Sequence, residues 1–595
     1  MNSIILALIG LILYLLAYKF YATFISKRIL RLDPDRETPS HKLRDDIDYV
    51  PTNKYTLFGH HYASIAGVAP IVGPAIAVIW GWLPALLWIV FGTIFIGAVH
   101  DFTVLTLSTR NQGKSIGTLS EKFMGSRGCP TIQNWPKKKG VSCSKSKKKE
   151  IFWRQNQSRD SLSSARTAFL LVIVFLLILL ISVFALVIAK LFIQIPESAT
   201  AAWTLMAVAI IVGLLIHKVK LSLKYATIIG VLLVIFTIWF GSIHPWAPFG
   251  SGEAAVTTAH VNSWLVLLFA YAFISSVLPV WLLLHPRDYL STFKLFAFLI
   301  IGYIGVFALG RTIIAPTLQL TATGAPPIWP FLMVTISCGA ISGFHSLVGS
   351  GTTSKQLNNE KDAKLEGYGG MLGEGALSLF VVIATTAGVS LALYSKNYAT
   401  WSSAGTAKLA TFITGATTFS HGVLGPLGVS SVFCETWVTL VVVAFAMTTL
   451  DTATRLTRYA LTEFAGSYEV KLNRYVATAI PVLVAAALTL TSYGGKTTVM
   501  ALWPAFGVTN QFLAALALLT VTIWLIKLKR PSLYTGIPMV FMLITTVVAA
   551  IYSIGWVYLP TGNYKLMIVT SIILLLALYV CYKGFKAIKE VKRTN

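Results

Sequence analysis

Charged side chains are scarce in this chain, and acidic ones scarcer still: 12% of its 595 residues are Asp, Glu, Lys or Arg, with 22 acids against 48 bases. A soluble domain carries roughly 25% charge. A chain that is 55% hydrophobic, with mean hydropathy +0.73, is therefore not a soluble protein. Cysteine is sparse too. Cys129, Cys143, Cys338, Cys434 and Cys581 are scattered without a paired motif, so neither a disulfide framework nor a zinc site is indicated. A phosphate-binding glycine loop, HExxH and GxSxG are all missing, which argues against a built-in ATPase and gives a membrane-embedded enzyme no support. The formal charge of +26 lies between apolar runs, where membrane orientation and anionic lipid explain it, so lipid is an expected partner and nucleic acid is not.

What is abundant is apolar length. Hydrocarbon cannot satisfy peptide groups, so each crossing must be a helix of roughly 20 apolar residues. The runs predict an all-α polytopic membrane protein of about 15 transmembrane helices, near 3 to 24, 62 to 80, 83 to 107, 168 to 192, 200 to 217, 223 to 241, 261 to 284, 295 to 315, 330 to 349, 371 to 394, 432 to 451, 474 to 492, 498 to 526, 534 to 558 and 563 to 586. The first run has no basic start and no cleavage site, and reads as a retained span. Cations cluster after it, again at Lys218 to Lys224, Arg455 to Arg474 and Lys527 to Arg530, and in the tail, while residues 241 to 260 and 316 to 330 have neither Lys nor Arg. By the positive-inside rule the N-terminus is outside and the C-terminus cytoplasmic. Residues 402 to 430 would invert every later loop if they crossed, and are expected to be outer-surface or re-entrant. The organisation is then a first helix at 1–25, a cytoplasmic segment at 26–60, a transporter core at 61–451 and C-terminal helices with a basic tail at 452–595. The core contains a basic cytoplasmic loop at 110–166 with 14 Lys and Arg against 3 acids, solvated and without apolar periodicity over 126–166.

Several polar clusters interrupt the apolar pattern: "DYVPTNKYTLFGHHYASIAGVAPIVGPAIAV" from residue 48, "GAVHDFTVL" from 97, "VLPVWLLLHPRDYLSTF" from 277, "SCGAISGFHSLVGSGTTSKQLNNE" from 337, "GYGGMLGEG" from 367, "TTLDTATRLTRY" from 448 and "WPAFGVTNQFLAALAL" from 503. In this order they resemble the signature blocks of the carbon starvation protein A family. The resemblance implies an inner-membrane carrier for peptides or pyruvate, proton-coupled and used when carbon is scarce. The basic stretch 126 to 166 departs from it.

The stretch "GVAPIVGP" breaks a span with glycine and proline, which is tolerated where the freed backbone groups face protein, water or ligand. Transporters present such half-helix ends to a carboxylate. Gly67, Pro70, Gly73 and Pro74 are therefore candidate substrate-binding residues, against a proline kink that serves packing alone. By analogy with the amino-acid/cation symporters, an inverted-repeat, LeuT-type core pairs this span with 261–284, adding Ser275 and Ser276, and lays the glycine-rich ninth span against it, adding Gly343. Ionisable groups in spans mark ion pathways. Asp101, beside His100, with His345, Glu374 and Asp451 are candidates for coupling to transported H⁺ or Na⁺, although Asp451 and Arg455 also have the spacing of a local ion pair. His60, His61, Arg287 and Asp288 are gating candidates. The adjacent histidines diverge by roughly 100° on a helix, and no metal site or cofactor is expected. Asn510 and Gln511 read as interhelical glue.

The function expected is secondary active import of a small peptide or pyruvate. A nutrient sensor or channel-like protein is the alternative, and an enzyme less so. Orientation is testable directly: with the native cysteines replaced, Ser251→Cys should react with an impermeant thiol reagent added outside, and Ser532→Cys only from inside. Reversed labelling overturns the orientation.

Overall fold

The computed structural model describes residues 1–124 and 167–594, apart from single positions at 47, 280, 281, 467, 469, 491, 494 and 495 and the side chains of 217, 223, 253, 284, 285, 491–503 and 594. The basic stretch 126–166 lies outside the described residues. The helices used below are α1 Ser3–Leu30, α2 Lys54–Ile65, α3 Ala69–Trp80, α4 Trp82–Thr109, α5 Ile116–Met124, α6 Thr167–Gln194, α7 Pro196–Ile216, α8 Lys224–Ile243, α9 Thr258–Val277 and α10 Pro286–Leu309. They continue with α11 Ile328–Thr335, α12 Gly343–Val348, α13 Glu360–Ala387, α14 Trp401–Leu424, α15 Ser431–Gly466, α16 Arg474–Leu490, α17 Pro504–Lys527, α18 Leu533–Tyr558 and α19 Tyr564–Arg593.

Among the described residues, twelve helices are long and apolar enough to cross a membrane, or thirteen spans if the bent pair α2 and α3 counts as one. The chain is an all-α polytopic membrane protein. The expected count of about 15 included two stretches that fall short. Residues 330 to 349 are two short helices, α11 and α12, separated by an unwound 336–342, and α16 is an apolar helix of only 17 residues. The first helix runs past residue 25 to Leu30, and α2 begins before residue 60, at Lys54. Residues 402 to 430 form α14, whose two ends meet the same end of the bundle: Trp401 N donates to Thr323 O at 2.9 Å, and Gly422 packs on Leu309. The same end holds the N-terminus, where Ser3 N donates to Arg311 O at 3.0 Å.

Two spans are broken, and they cross. Between α2 and α3 the axis turns by 50° at Ala66 to Val68, where Gly67 N reaches back only to Ile65 O at 2.8 Å. Pro70 sits in the first turn of α3, where its missing N–H costs nothing. Pro74 removes the donor that would serve Pro70 O, one helical turn earlier. Ser378 Oγ on α13 donates to that carbonyl instead, at 3.0 Å. The second break, 336–342, is stitched to its surroundings in the same way. Trp88 Nε1 donates to Ile336 O at 3.3 Å and Thr93 Oγ1 to Gly339 O at 3.0 Å, both from α4. Gln511 Nε2 on α17 donates to Met333 O at 2.5 Å, while Asn510 Oδ1 accepts from Phe344 N at 3.0 Å. The pair inferred to be glue thus holds the end of α11 and the start of α12.

This pairing corrects the expected repeat. The partner chosen for the first broken span, 261–284, is not broken at mid-membrane: α9 runs uninterrupted to Val277, and Pro279 lies beyond its end. The second broken span is the ninth, and it lies against the first. At their crossing a Cβ on Gly73 would sit 2.4 Å from Thr335 O and 3.1 Å from Ile336 Cα. Gly73→Ala should therefore push backbone against backbone and destabilise the fold by about 1–3 kcal/mol. This would be read as a lower melting temperature and reduced membrane abundance, and an unchanged melting temperature would show that the crossing is not tight.

Candidate functional site

The two adjacent histidines of α2 open the site, because they point into different networks. His60 Nδ1 lies 3.2 Å from Asp288 Oδ2 on α10. His61, buried, places Nδ1 2.8 Å from Thr353 Oγ1, just beyond α12, and its ring edge lies beside Gly370 on α13.

The first network joins α9, α10 and α15. Arg287, 1% exposed, donates from Nη1 to Asp451 Oδ2 and from Nη2 to Asp288 Oδ1, the latter at 3.1 Å. Tyr271 Oη donates to Asp451 Oδ2 at 2.5 Å, and Ser275 Oγ to Asp451 Oδ1 at 2.7 Å. The local Asp451 and Arg455 pair considered from spacing is not what forms. Arg455 Nη2 instead donates to Ser275 O and Leu278 O, each at 3.1 Å, and Arg458 Nη1 to Ser276 O at 2.7 Å. Guanidinium groups thus complete the C-terminus of α9, where free carbonyls and the helix dipole favour cations.

The second network lies where α4 and α13 meet the broken ninth span. His345 on α12 places Nδ1 2.7 Å from Asp101 Oδ2 and Nε2 3.0 Å from Glu374 Oε2. His100 Nδ1 lies 2.7 Å from the other Asp101 oxygen. Cys338 Sγ, in the unwound segment, is 3.8 Å from His345 Nε2 and 3.3 Å from Ser342 Oγ. All of these side chains are buried. One imidazole between two carboxylates is an arrangement that can hold or pass a proton. Cys338, His345 and Glu374 also bring ligand atoms within 4.8 Å of one another, a spacing that would accommodate a metal ion, which scattered cysteines did not suggest. Towards the end of the bundle where Lys355 lies, a cavity of about 280 Å³ is bounded by Tyr49, Lys114, Ser350, Tyr459 and Glu463.

The expected substrate-binding residues do not converge. Gly67, Pro70, Gly73 and Pro74 share the first break, but Gly73 is closed by Thr335. Gly343 packs on Asn510 and Leu513 of α17, and Ser275 and Ser276 belong to the arginine-rich end of α9. One polar group does approach Gly67. A Cβ there would lie 2.9 Å from Thr449 Oγ1 and 3.0 Å from Phe184, and the hydroxyls of Ser64, Thr448 and Thr449 have no hydrogen-bond partner among the described residues. Sequence reasoning missed Tyr271, Cys338, Thr353 and Glu360. Glu360 is fully buried, ion-paired to Arg110 and accepting from Asp33 N at 2.8 Å. Its sequence context, "NNEKDAK", is that of an exposed loop and carries no signal.

A polytopic helical bundle with two broken, crossing spans and buried acid–base groups beside the breaks defines a membrane carrier. The chain belongs to the carbon starvation protein CstA family, whose profile matches residues 2–133, 157–406 and 390–549. It is 33% identical over 614 residues to a peptide transporter CstA of Campylobacter jejuni subsp. jejuni serotype O:2, covering 93% of this chain and 80% of that protein. It is 30% identical over 613 residues to the pyruvate/proton symporter BtsT of Escherichia coli (strain K12), covering 90% and 79%. With the peptide transporter CstA of Bacillus subtilis (strain 168) it shares 30% over 623 residues, covering 97% and 95%. Among solved structures, a manganese transporter mutant from Eremococcus coleocola aligns with a TM-score of 0.42 at 11% identity over 93% of this chain and 99% of that one, too low to carry an argument. The resemblance read from the seven blocks is borne out.

Removing one member of the first network should be costly, because it strands buried charge. Arg287→Met is expected to lose about 3–5 kcal/mol of stability, and adding Asp451→Asn should recover part of it. Equal melting temperatures for wild type and Arg287→Met would show that the network is not under that constraint.

Proposed function

We propose that this chain is a secondary active importer of the cytoplasmic membrane, bringing in a small carboxylate-bearing nutrient, a short peptide or pyruvate, together with protons. The observation that carries this reading is the buried Asp101–His345–Glu374 cluster at the crossing of the broken second and ninth spans. A carboxylate–imidazole–carboxylate set can hold and pass a proton, and imidazole and thiol are poor ligands for Na⁺, which prefers oxygen. The name of the Escherichia coli relative, a pyruvate/proton symporter, supports H⁺, and nothing favours Na⁺. Substrate faces the break at Gly67, where the unpartnered hydroxyl of Thr449 is the nearest polar atom. The remaining expected residues take supporting parts: Pro70 and Pro74 set the break, Gly73 and Gly343 allow close crossing, and Asp451 with Ser275 and Ser276 anchors α9. His60 and His61 connect proton and anchor networks, and the His60, Arg287 and Asp288 contact is the gate between α2 and α10. The end rich in Arg31, Arg36, Arg110 and Arg530 is cytoplasmic, by the positive-inside rule.

Two charge-removing, shape-preserving changes test the coupling in proteoliposomes. Asp101→Asn and Glu374→Gln should each lower accumulation driven by an inside-alkaline pH gradient at least tenfold, while substrate exchange at equal pH persists. Both variants must reach the membrane in normal amount. Undiminished pH-driven accumulation in both would place the proton elsewhere, and a wild type that exchanges substrate but never accumulates it would make the protein a channel or sensor.

A further inference from the structure

The contacts above leave three buried donor atoms on one face of α10 unused. On α10, Arg287, Ser291 and Lys294 are spaced i, i+4 and i+7, which places them on one helix face. They are 1%, 2% and 4% exposed. Arg287 Nε, Ser291 Oγ and Lys294 Nζ have no hydrogen-bond partner among the described residues. The face looks into protein and not into lipid: Phe298, one turn beyond Lys294, meets Phe380 of α13, Phe412 of α14 and Trp437 of α15 edge-on.

An ammonium group inside a membrane bundle is expensive unless it meets a counter-charge. The nearby carboxylates are already committed. Asp451 receives Arg287, Tyr271 and Ser275, and Asp288 receives Arg287 and His60. Arg287 is answered by these two acids and Arg455 by the carbonyls at the end of α9, so Lys294 is left without an acid of its own. Three donors in a row suit a carboxylate, whose two oxygens offer about four acceptor positions.

We infer that the Arg287–Ser291–Lys294 face of α10 is an anion subsite that takes the carboxylate of the transported solute, with the Lys294 ammonium as its counter-charge and Ser291 Oγ and Arg287 Nε as further donors. The identity of the anion rests on the importer reading; the subsite itself does not. A lipid-headgroup phosphate would offer related chemistry, and the test separates the two.

The probes are pyruvate and dialanine, titrated calorimetrically into purified protein in lipid-free detergent, with phosphatidylglycerol added in a separate arm. Wild type should bind at least one of them. Lys294→Met should weaken that binding at least tenfold, Lys294→Arg should stay within about threefold, and Ser291→Ala should fall between. Without ligand, Lys294→Met should melt no lower than wild type, because no partner is lost. The inference is overturned by binding within twofold in Lys294→Met, by a clearly lower unliganded melting temperature of that variant, by phosphatidylglycerol displacing the probes only when Lys294 is present, or by wild type binding neither probe. Carboxylate binding without pH-driven accumulation would instead overturn the importer reading and leave the subsite standing.

Discussion

The structure depends on how two interrupted helices satisfy their backbone where no water can. A peptide group left unpaired in hydrocarbon costs several kcal/mol, so every break in a span requires a donor or acceptor from elsewhere. Ser378 fills the carbonyl that Pro74 cannot serve. Trp88 and Thr93 fill two carbonyls of 336–342, and Asn510 and Gln511 hold the helix ends on either side of it. These partners come from α4, α13 and α17, so the three helices are recruited around the crossing. The crossing itself closes only because Gly73 lets α3 touch the backbone of Thr335.

From that crossing follows the arrangement of charge. Unwinding at 336–342 puts Cys338 and, in the first turn of α12, His345 opposite Asp101 of α4 and Glu374 of α13, helices that each stitch one of the two breaks. On the other side of α2 a separate network of Arg287, Asp288, Asp451 and Tyr271 clamps α9, α10 and α15. His60 belongs to this second set and His61 neighbours the first, since adjacent positions on a helix face different ways. A movement of α2 about its hinge at Gly67 would disturb both sets together. The two networks are thus joined mechanically through one rigid element with a break at its end.

Much of the fold was legible in the sequence, for identifiable reasons. Long apolar runs announce membrane helices because bilayer thickness sets their length, and the clusters at 48–78 and 337–360 stood out because glycine, proline and ionisable residues are conspicuous against such runs. The buried acid–base cluster was partly legible for the same reason: Asp101, His345 and Glu374 are ionisable residues in apolar surroundings. What the sequence could not yield was pairing across hundreds of residues. Nothing local tells Asp451 to choose Arg287 over Arg455, four residues away on its own helix. Local spacing favours the neighbour, but the carbonyls at the end of α9 compete for Arg455. The choice of 261–284 as the broken partner failed for a related reason. Pro279 looked like a break in the helix, but it lies past the end of α9, and only the three-dimensional path distinguishes a proline within a span from one that terminates it.

Tyr271 and Lys294 show where residue type itself misleads. A tyrosine in an apolar helix normally reads as interface or core, and a lysine near a span end as an anchor reaching for the headgroups. Here α10 begins at Pro286, so Lys294 stands more than two turns inside it, and Phe298 beyond it is enclosed by three aromatic rings. Snorkelling would require the side chain to reach past Ser291 and Arg287, which occupy the same face on the way to the end of the helix. A lysine that keeps its proton at that depth has to be answered within the protein. The acids close enough to answer it are bound to other donors, and this is why the chemistry of α10 points to a negatively charged solute.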